Sequence, residues 1–162
     1  MKLKIITTGG TIDKIYFDAK SEYQVGEPQI GEVLKEANVA LAYEVVSVLR
    51  KDSLDLTDED RHLICRTVDA VAEKHVIVTH GTDTMIETAR VLKSISGKVI
   101  VLTGAMQPAK FRFTDAVFNI ACAVVAVQLL PEGVHICMNG RIFDPDKTRK
   151  NRRLNQFEAL KG

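Results

Sequence analysis

Short runs rich in isoleucine and valine alternate along this chain with longer stretches of helical period, and that rhythm constrains the fold more than any other feature. Alternation of this kind is the sequence form of a parallel sheet, because parallel strands need long crossovers and those crossovers cover both faces. Apolar runs predict strands at 3–8, 43–48, 75–79, 99–103 and 134–138, and periodic segments predict helices at 30–37, 58–73, 84–94 and 114–130. Thr57 followed by Asp60 has the spacing of a capping box before the second helix, and Gly97 is a stop after the third. The expected class is α/β, a three-layer parallel sheet with helices on both faces, flavodoxin-like or Rossmann-like. With 162 residues, 46% of them apolar, the chain can bury one ordinary core, so a single domain over 1–162 is expected.

Charge and cysteine usage narrow the partners. Twenty-two basic residues nearly balance 21 acidic ones, which leaves no long-range field to draw the molecule to nucleic acid or an anionic membrane. A small-molecule substrate fits better. Cys65, Cys122 and Cys137 are odd in number, far apart and set in apolar segments, so they read as core rather than as a disulfide framework or metal site. Neither a metal nor a cofactor is expected. The longest apolar run, 120–127, falls short of the roughly 20 residues that span a bilayer, and the apolar start of the chain is too short for a signal peptide. A cytoplasmic location is the expectation.

In an open parallel sheet, ligands bind beyond the carboxyl ends of the strands, so the residues just after each strand are the first candidates for chemistry. They are Thr8-Gly9-Gly10-Thr11, Asp52-Ser53-Leu54-Asp55, His80-Gly81-Thr82-Asp83-Thr84 and Gly104-Ala105-Met106. Each offers hydroxyls, carboxylates or glycine backbone that a ligand can approach closely. Taken singly, each is also an ordinary turn or helix cap. Neither phosphate-loop glycine pattern occurs at the first turn, and His80 reads as a structural hydrogen-bonder because the other histidines show no metal spacing. Residues 9–29 follow the first strand with no clear period, a long connection of the kind that serves as a functional lid or stays disordered. Residues 147–153 carry five cations in seven positions without interleaved aromatics, which fits a solvated face better than a nucleic-acid surface.

The order of these segments carries more than any one of them. Thr7-Thr8-Gly9-Gly10-Thr11-Ile12 followed by Thr79-His80-Gly81-Thr82-Asp83-Thr84-Met85 closely resembles the two signature segments of the bacterial L-asparaginase family. Tyr23-Gln24-Val25-Gly26, Ser53-Leu54-Asp55, Gly104-Ala105-Met106-Gln107-Pro108 and Asp146-Lys147-Thr148 follow in family order, so the resemblance spans essentially the whole chain. It implies hydrolysis of L-asparagine to L-aspartate and ammonia, with Thr11 as nucleophile and Tyr23 as its partner on a mobile loop. By the same resemblance Thr82, Asp83 and Lys147 form an activating cluster, Ser53 and Asp83 hold the substrate carboxylate and ammonium, and Gly10, Leu54, Thr82 and Ala105 complete the substrate-binding set. The chemistry demands these types, since a hydroxyl attacks an amide only when a neighbouring base or cation lowers the cost of its alkoxide.

Three departures from the family pattern shape the expectations. Family members are usually about twice this length, so the second family domain is expected to be absent, and with it an acidic residue that completes the ammonium pocket in many relatives. Leu54 stands where the tight-binding branch carries a glutamine, and an apolar side chain cannot accept the substrate ammonium. Asp13 stands where a small residue is commoner. Low affinity, little glutaminase activity and a homodimer or higher homo-oligomer follow as expectations. Two alternatives stay open: a non-catalytic domain binding a small amino acid, and the amidohydrolase part of a tRNA-dependent amidotransferase.

Overall fold

In the computed structural model, which describes residues 1–161, the elements run β1 (Lys2–Gly9), β2 (Lys14–Phe17), β3 (Glu22–Val25), α1 (Ile30–Glu36), β4 (Ala42–Lys51), α2 (Asp58–Ala70), β5 (His75–Thr79), α3 (Met85–Leu92), β6 (Val99–Thr103), α4 (Ala116–Leu129), β7 (Gly133–Met138), β8 (Arg141–Phe143), β9 (Thr148–Asn151) and β10 (Gln156–Ala159). The main sheet has the order β4-β1-β5-β6-β7-β8. All neighbours are parallel except β8, which turns back antiparallel on β7. Numbered by their own sequence order, the parallel strands stand 2-1-3-4-5, the flavodoxin-like one of the two arrangements the sequence left open.

Side-chain alternation along the strands divides the core into two layers. Leu3, Ile5, Ile77, Val99 and Val101 point to one face, where they pack on Ile30 and Leu34 of α1 and Ile120, Ala123 and Val127 of α4. On the opposite face, Ile6, Val76, Val78, Ile100 and Leu102 meet Ile64 and Val68 of α2 and Met85, Ala89 and Leu92 of α3. Burying each such side chain is worth roughly 1.5–3 kcal/mol. Because β5 and β6 are buried on both faces, the register is locked by packing, with Thr7 opposite Thr79 and Thr79 opposite Thr103. Those three threonines mark the carboxyl rim of the sheet.

The predicted capping box is present, with the Asp60 N–H donating to Thr57 Oγ1 and the Thr57 N–H to Asp60 Oδ2. Helix α2 ends at Ala70 rather than at 73, because the chain beyond it turns extended at Val71 and offers the carbonyls of Val71 and Glu73 to the Lys98 ammonium. The connection over 9–29 has more structure than its lack of period implied: after a 3-10 turn at Thr11–Asp13, β2 and β3 pair as an antiparallel hairpin. No helix among the described residues is long and apolar enough to cross a membrane.

Candidate active site

The sheet's topology reverses between β1 and β5, since the chain leaves β1 toward β4 and leaves β5 toward β6. The carboxyl ends of these two strands therefore open a crevice, and the turns after them carry the two signature segments. The turns touch. Gly10 has φ +90°, and a Cβ there would lie 2.4 Å from the Gly81 nitrogen, so only glycine lets the backbones meet. Gly81 in turn lies against Ser53, where a Cβ would come within 2.6 Å of the serine Cβ and Oγ. These contacts gather the ends of β1, β4 and β5 at one point.

Thr11 begins the 3-10 turn beside Gly10 and is half-buried. Across the crevice, Thr82 is buried and Asp83 half-buried at the approach to α3. One cation joins them: the Lys150 ammonium donates to Thr82 Oγ1 at 2.8 Å and to Asp83 Oδ1 at 2.8 Å. Only 12% of the Lys150 side chain is exposed, so this charge is held in a shielded position. Arg152 reaches the same carboxylate oxygen more loosely, at 3.5 Å, from a largely exposed position.

The lysine is not the one the sequence singled out. Lys147 lies in a 3-10 turn begun by Pro145, and its side chain is exposed. Strand β9 starts one residue later and pairs with β10, with Lys150 opposite the buried Phe157. Period-2 alternation then sends Thr148 and Lys150 inward and Arg149 outward. Lys150 thus takes the place expected for Lys147, and only strand phase, invisible in a run of cations, separates them.

Other predicted residues distribute unevenly. Ser53 is buried beside Gly81, and its carbonyl accepts the Thr84 hydroxyl at 2.7 Å. Ala105 is buried at the end of β6. Leu54, by contrast, is 64% exposed and projects into solvent. Tyr23 stands on β3 with 51% of its surface exposed, its ring 5.4 Å from Tyr16 and 5.5 Å edge-on to Phe111. His80 is a structural group: burial pushes it down to about 4, so it is neutral, and Nδ1–H can only donate to the Gly81 carbonyl at 2.7 Å. Nε2 must then accept the Thr88 hydroxyl, also at 2.7 Å.

The sequence reading named Asp52 and the Gly104-Ala105-Met106 loop only as strand-end candidates, and it missed Asp115 and Asn119. Asp52 feels burial, which raises its carboxyl, but its Lys14 partner at 2.8 Å and the Leu54 N–H hold it below its ordinary value. Asp115 accepts the N–H groups of Met106 and Gln107, while Asn119 donates to the Gly104 carbonyl, so the start of α4 fixes the loop after β6. An Asp one turn before an Asn at a helix start was the available signal. No group of three or more His, Cys, Asp or Glu among the described residues is placed to hold a metal ion.

Comparison with known proteins places this geometry in context. The family described as Asparaginase, N-terminal, matches residues 2–161. L-asparaginase 2 of Escherichia coli is 31% identical over 164 residues, covering 92% of this chain and 46% of that protein. A component of the glutamyl-tRNA(Gln) amidotransferase of Archaeoglobus fulgidus is 30% identical over 184 residues, covering 98% of this chain and 41% of the relative. Among solved structures, the thermostable L-asparaginase of Thermococcus kodakarensis superposes with a TM-score of 0.85 at 25% identity, over 98% of this chain and 51% of that one. The chain spans about half the length of the proteins it matches.

Proposed function

We propose that this chain, which belongs to the asparaginase family, hydrolyses the side-chain amide of L-asparagine through a threonine nucleophile. The observation that carries the reading is the shielded Lys150 ammonium on both Thr82 Oγ1 and Asp83 Oδ1. A binding domain has no use for a cation pressed against a hydroxyl, whereas amide hydrolysis needs one to stabilise developing oxyanions. In the acylation step Thr11 Oγ bonds to the amide carbon, the C–N bond breaks, and the hydroxyl proton leaves with ammonia. Water then splits the ester, returns a proton to Thr11 and releases aspartate. The tetrahedral oxyanion calls for backbone N–H donors at the crevice, each worth roughly 3 kcal/mol, and the Gly10 N–H is not one of them because it donates to the Lys51 carbonyl at 2.9 Å. Ammonia release measured with L-asparagine, L-glutamine and D-asparagine tests the assignment, and silence on all three would overturn it.

Affinity follows from what surrounds Asp83. Lys150 and Arg152 both address its Oδ1, and Leu54 points away, so Asp83 is the main charged partner we assign to a substrate ammonium. Lacking one charge-assisted hydrogen bond weakens binding roughly tenfold to a hundredfold. We expect a KM for L-asparagine near or above the ~1 mM upper end of the usual range, with little turnover of L-glutamine. Leu54→Gln, at a position that projects into solvent, should leave that KM within about twofold, and a micromolar wild-type value would refute this account.

Self-association is the second expectation with structural support. Val117, Phe118, Val125 and Leu129 form an exposed apolar stripe on α4, and Phe118, Cys122, Val125, Leu129 and Ile142 line a groove of about 460 Å³ beside it. An apolar face of this kind is unusual on a monomer. Light scattering should report a dimer or larger at micromolar concentration, and Val125→Glu should shift it toward monomer; a monomeric wild type would count against the proposal. The likeness to the Archaeoglobus fulgidus amidotransferase component, together with exposed Arg149, Arg152 and Arg153 on the β9–β10 hairpin, supports a second reading as an amidotransferase part. That reading predicts weak activity on free amino acids, rescued by a partner chain.

A further inference from the structure

Asp13 is a carboxylate in a place that gives a charge little comfort. It is 2% exposed, next to buried Ile12 and at the root of the β2–β3 hairpin. Three hydrogen bonds converge on it. Its N–H donates to the Gly10 carbonyl at 3.1 Å, its carbonyl accepts the Gly26 N–H at 2.9 Å, and its Oδ1 accepts the Gln29 N–H at 2.9 Å. The first bond reaches back to the Thr11 turn. The second joins the two ends of the hairpin just outside the Lys14–Val25 pair, and the third fixes the chain where it enters α1. Backbone alone supplies the first two at any residue type; the third needs a short side-chain acceptor.

We infer that Asp13 is a positioning residue, whose carboxylate ties the first root of the β2–β3 hairpin to the chain entering α1 at Gln29 and so sets where Tyr23 stands relative to the Thr11 turn. The link to catalysis rests on the amidohydrolase reading above. Glycine or alanine at this position would leave the Gln29 N–H unpaired and buried, which is costly enough to loosen the segment. Far from the root, Tyr23 leans on Phe111, so the hairpin is held at two separated points.

Charge at Asp13 is finely balanced. Burial pushes its carboxyl from 3.8 up to about 7, against the Gln29 N–H and the Arg50 guanidinium, which both pull it down. Arg50, on β4, is itself paired with Glu27 at 2.6 Å, and the Lys14–Asp52 pair at 2.8 Å flanks the same root. The folded state therefore holds the proton more tightly than the unfolded one. Stability from this group is lost as pH rises from 3.8 through about 7, and Asp13→Asn, with no proton to lose, should lack that slope.

Hydrogen exchange on the full chain tests the clasp without reference to activity. Asp13→Ala should speed exchange in peptides covering 14–29 about tenfold or more while β5 and β6 stay at wild-type protection. Asp13→Asn, which keeps an acceptor, should remain within about threefold. If Asp13→Ala fails to fold, Gln29→Pro removes the donor from the other side and should loosen the same peptides. For ammonia release, Asp13→Ala should lower kcat about tenfold with KM changed less than about threefold, and Asp13→Asn should restore it. Unchanged exchange in 14–29, or equal loosening of β5 and β6, overturns the clasp. A wild type silent on every amide would instead sink the amidohydrolase reading, and the exchange result would still decide the role of Asp13.

Discussion

Lys150→Met is expected to cut ammonia release from L-asparagine by about 10²-fold or more, while Lys147→Met leaves it within about twofold. Methionine keeps the apolar stem of the lysine and removes only the ammonium, so the packing of β9 on β10 survives. What disappears is the donor to Thr82 Oγ1 and Asp83 Oδ1, both at 2.8 Å. Arg152 cannot replace it, because its guanidinium is largely exposed and reaches only Asp83, at 3.5 Å. Lys147 has no comparable environment; its backbone pairs with Asp144 and Leu160, and its side chain faces water. Melting temperature and kcat measured on both variants decide the matter. Equal losses in the two, or activity retained in Lys150→Met, would mean that the cation on Thr82 serves structure rather than reaction.

That pair of variants also locates the boundary of what the sequence could say. The central sheet was legible because β5 and β6 are buried on both faces and read as unbroken apolar runs; their bounds, His75–Thr79 and Val99–Thr103, match the expectation residue for residue. The alternation also pointed to chemistry at the carboxyl ends of the strands, but the strand order that brings the Gly10 and Gly81 turns together came only with the structure. Where burial is one-sided or strands are short, the signal fades. Strands β2 and β3 are four residues each, and their turn uses Ser21 at φ +51° rather than a glycine, so the hairpin looked like an aperiodic lid. Strand β8 had a signal that went unused: Asn139-Gly140, both at positive φ, is the residue pair that a two-residue hairpin turn demands.

Lys150 illustrates a harder limit. Composition marks 147–153 as cationic, but the side chain that turns inward depends on where β9 begins, and Pro145 delays that start until Thr148. Asp13 is the opposite case: the sequence marked it as unusual, and only the hydrogen bond from Gln29 gives the carboxylate a purpose. Leu54, read as unable to accept an ammonium, is 64% exposed.

Thr11→Val is expected to abolish turnover, by about 10³-fold or more, while Thr11→Ser keeps a measurable part of it. Valine matches threonine in shape and in branching at Cβ, so it tests the hydroxyl with little change in packing. The site tolerates it: Thr11 is half-buried at the start of a 3-10 turn whose closing bond, Asp13 N–H to Gly10 carbonyl, uses no side chain. Retained melting temperature with lost ammonia release would therefore isolate chemistry from folding. The companion variant Thr82→Val removes the acceptor of the Lys150 ammonium and leaves Asp83 as its sole strong partner, so it should slow acylation without removing the acylated group. Mass spectrometry of rapidly quenched enzyme makes the distinction direct. An acyl adduct on a peptide containing Thr11, absent from Thr11→Val, assigns the attack to Thr11; an adduct on Thr82 together with an active Thr11→Val would exchange the two roles and refute the assignment made here.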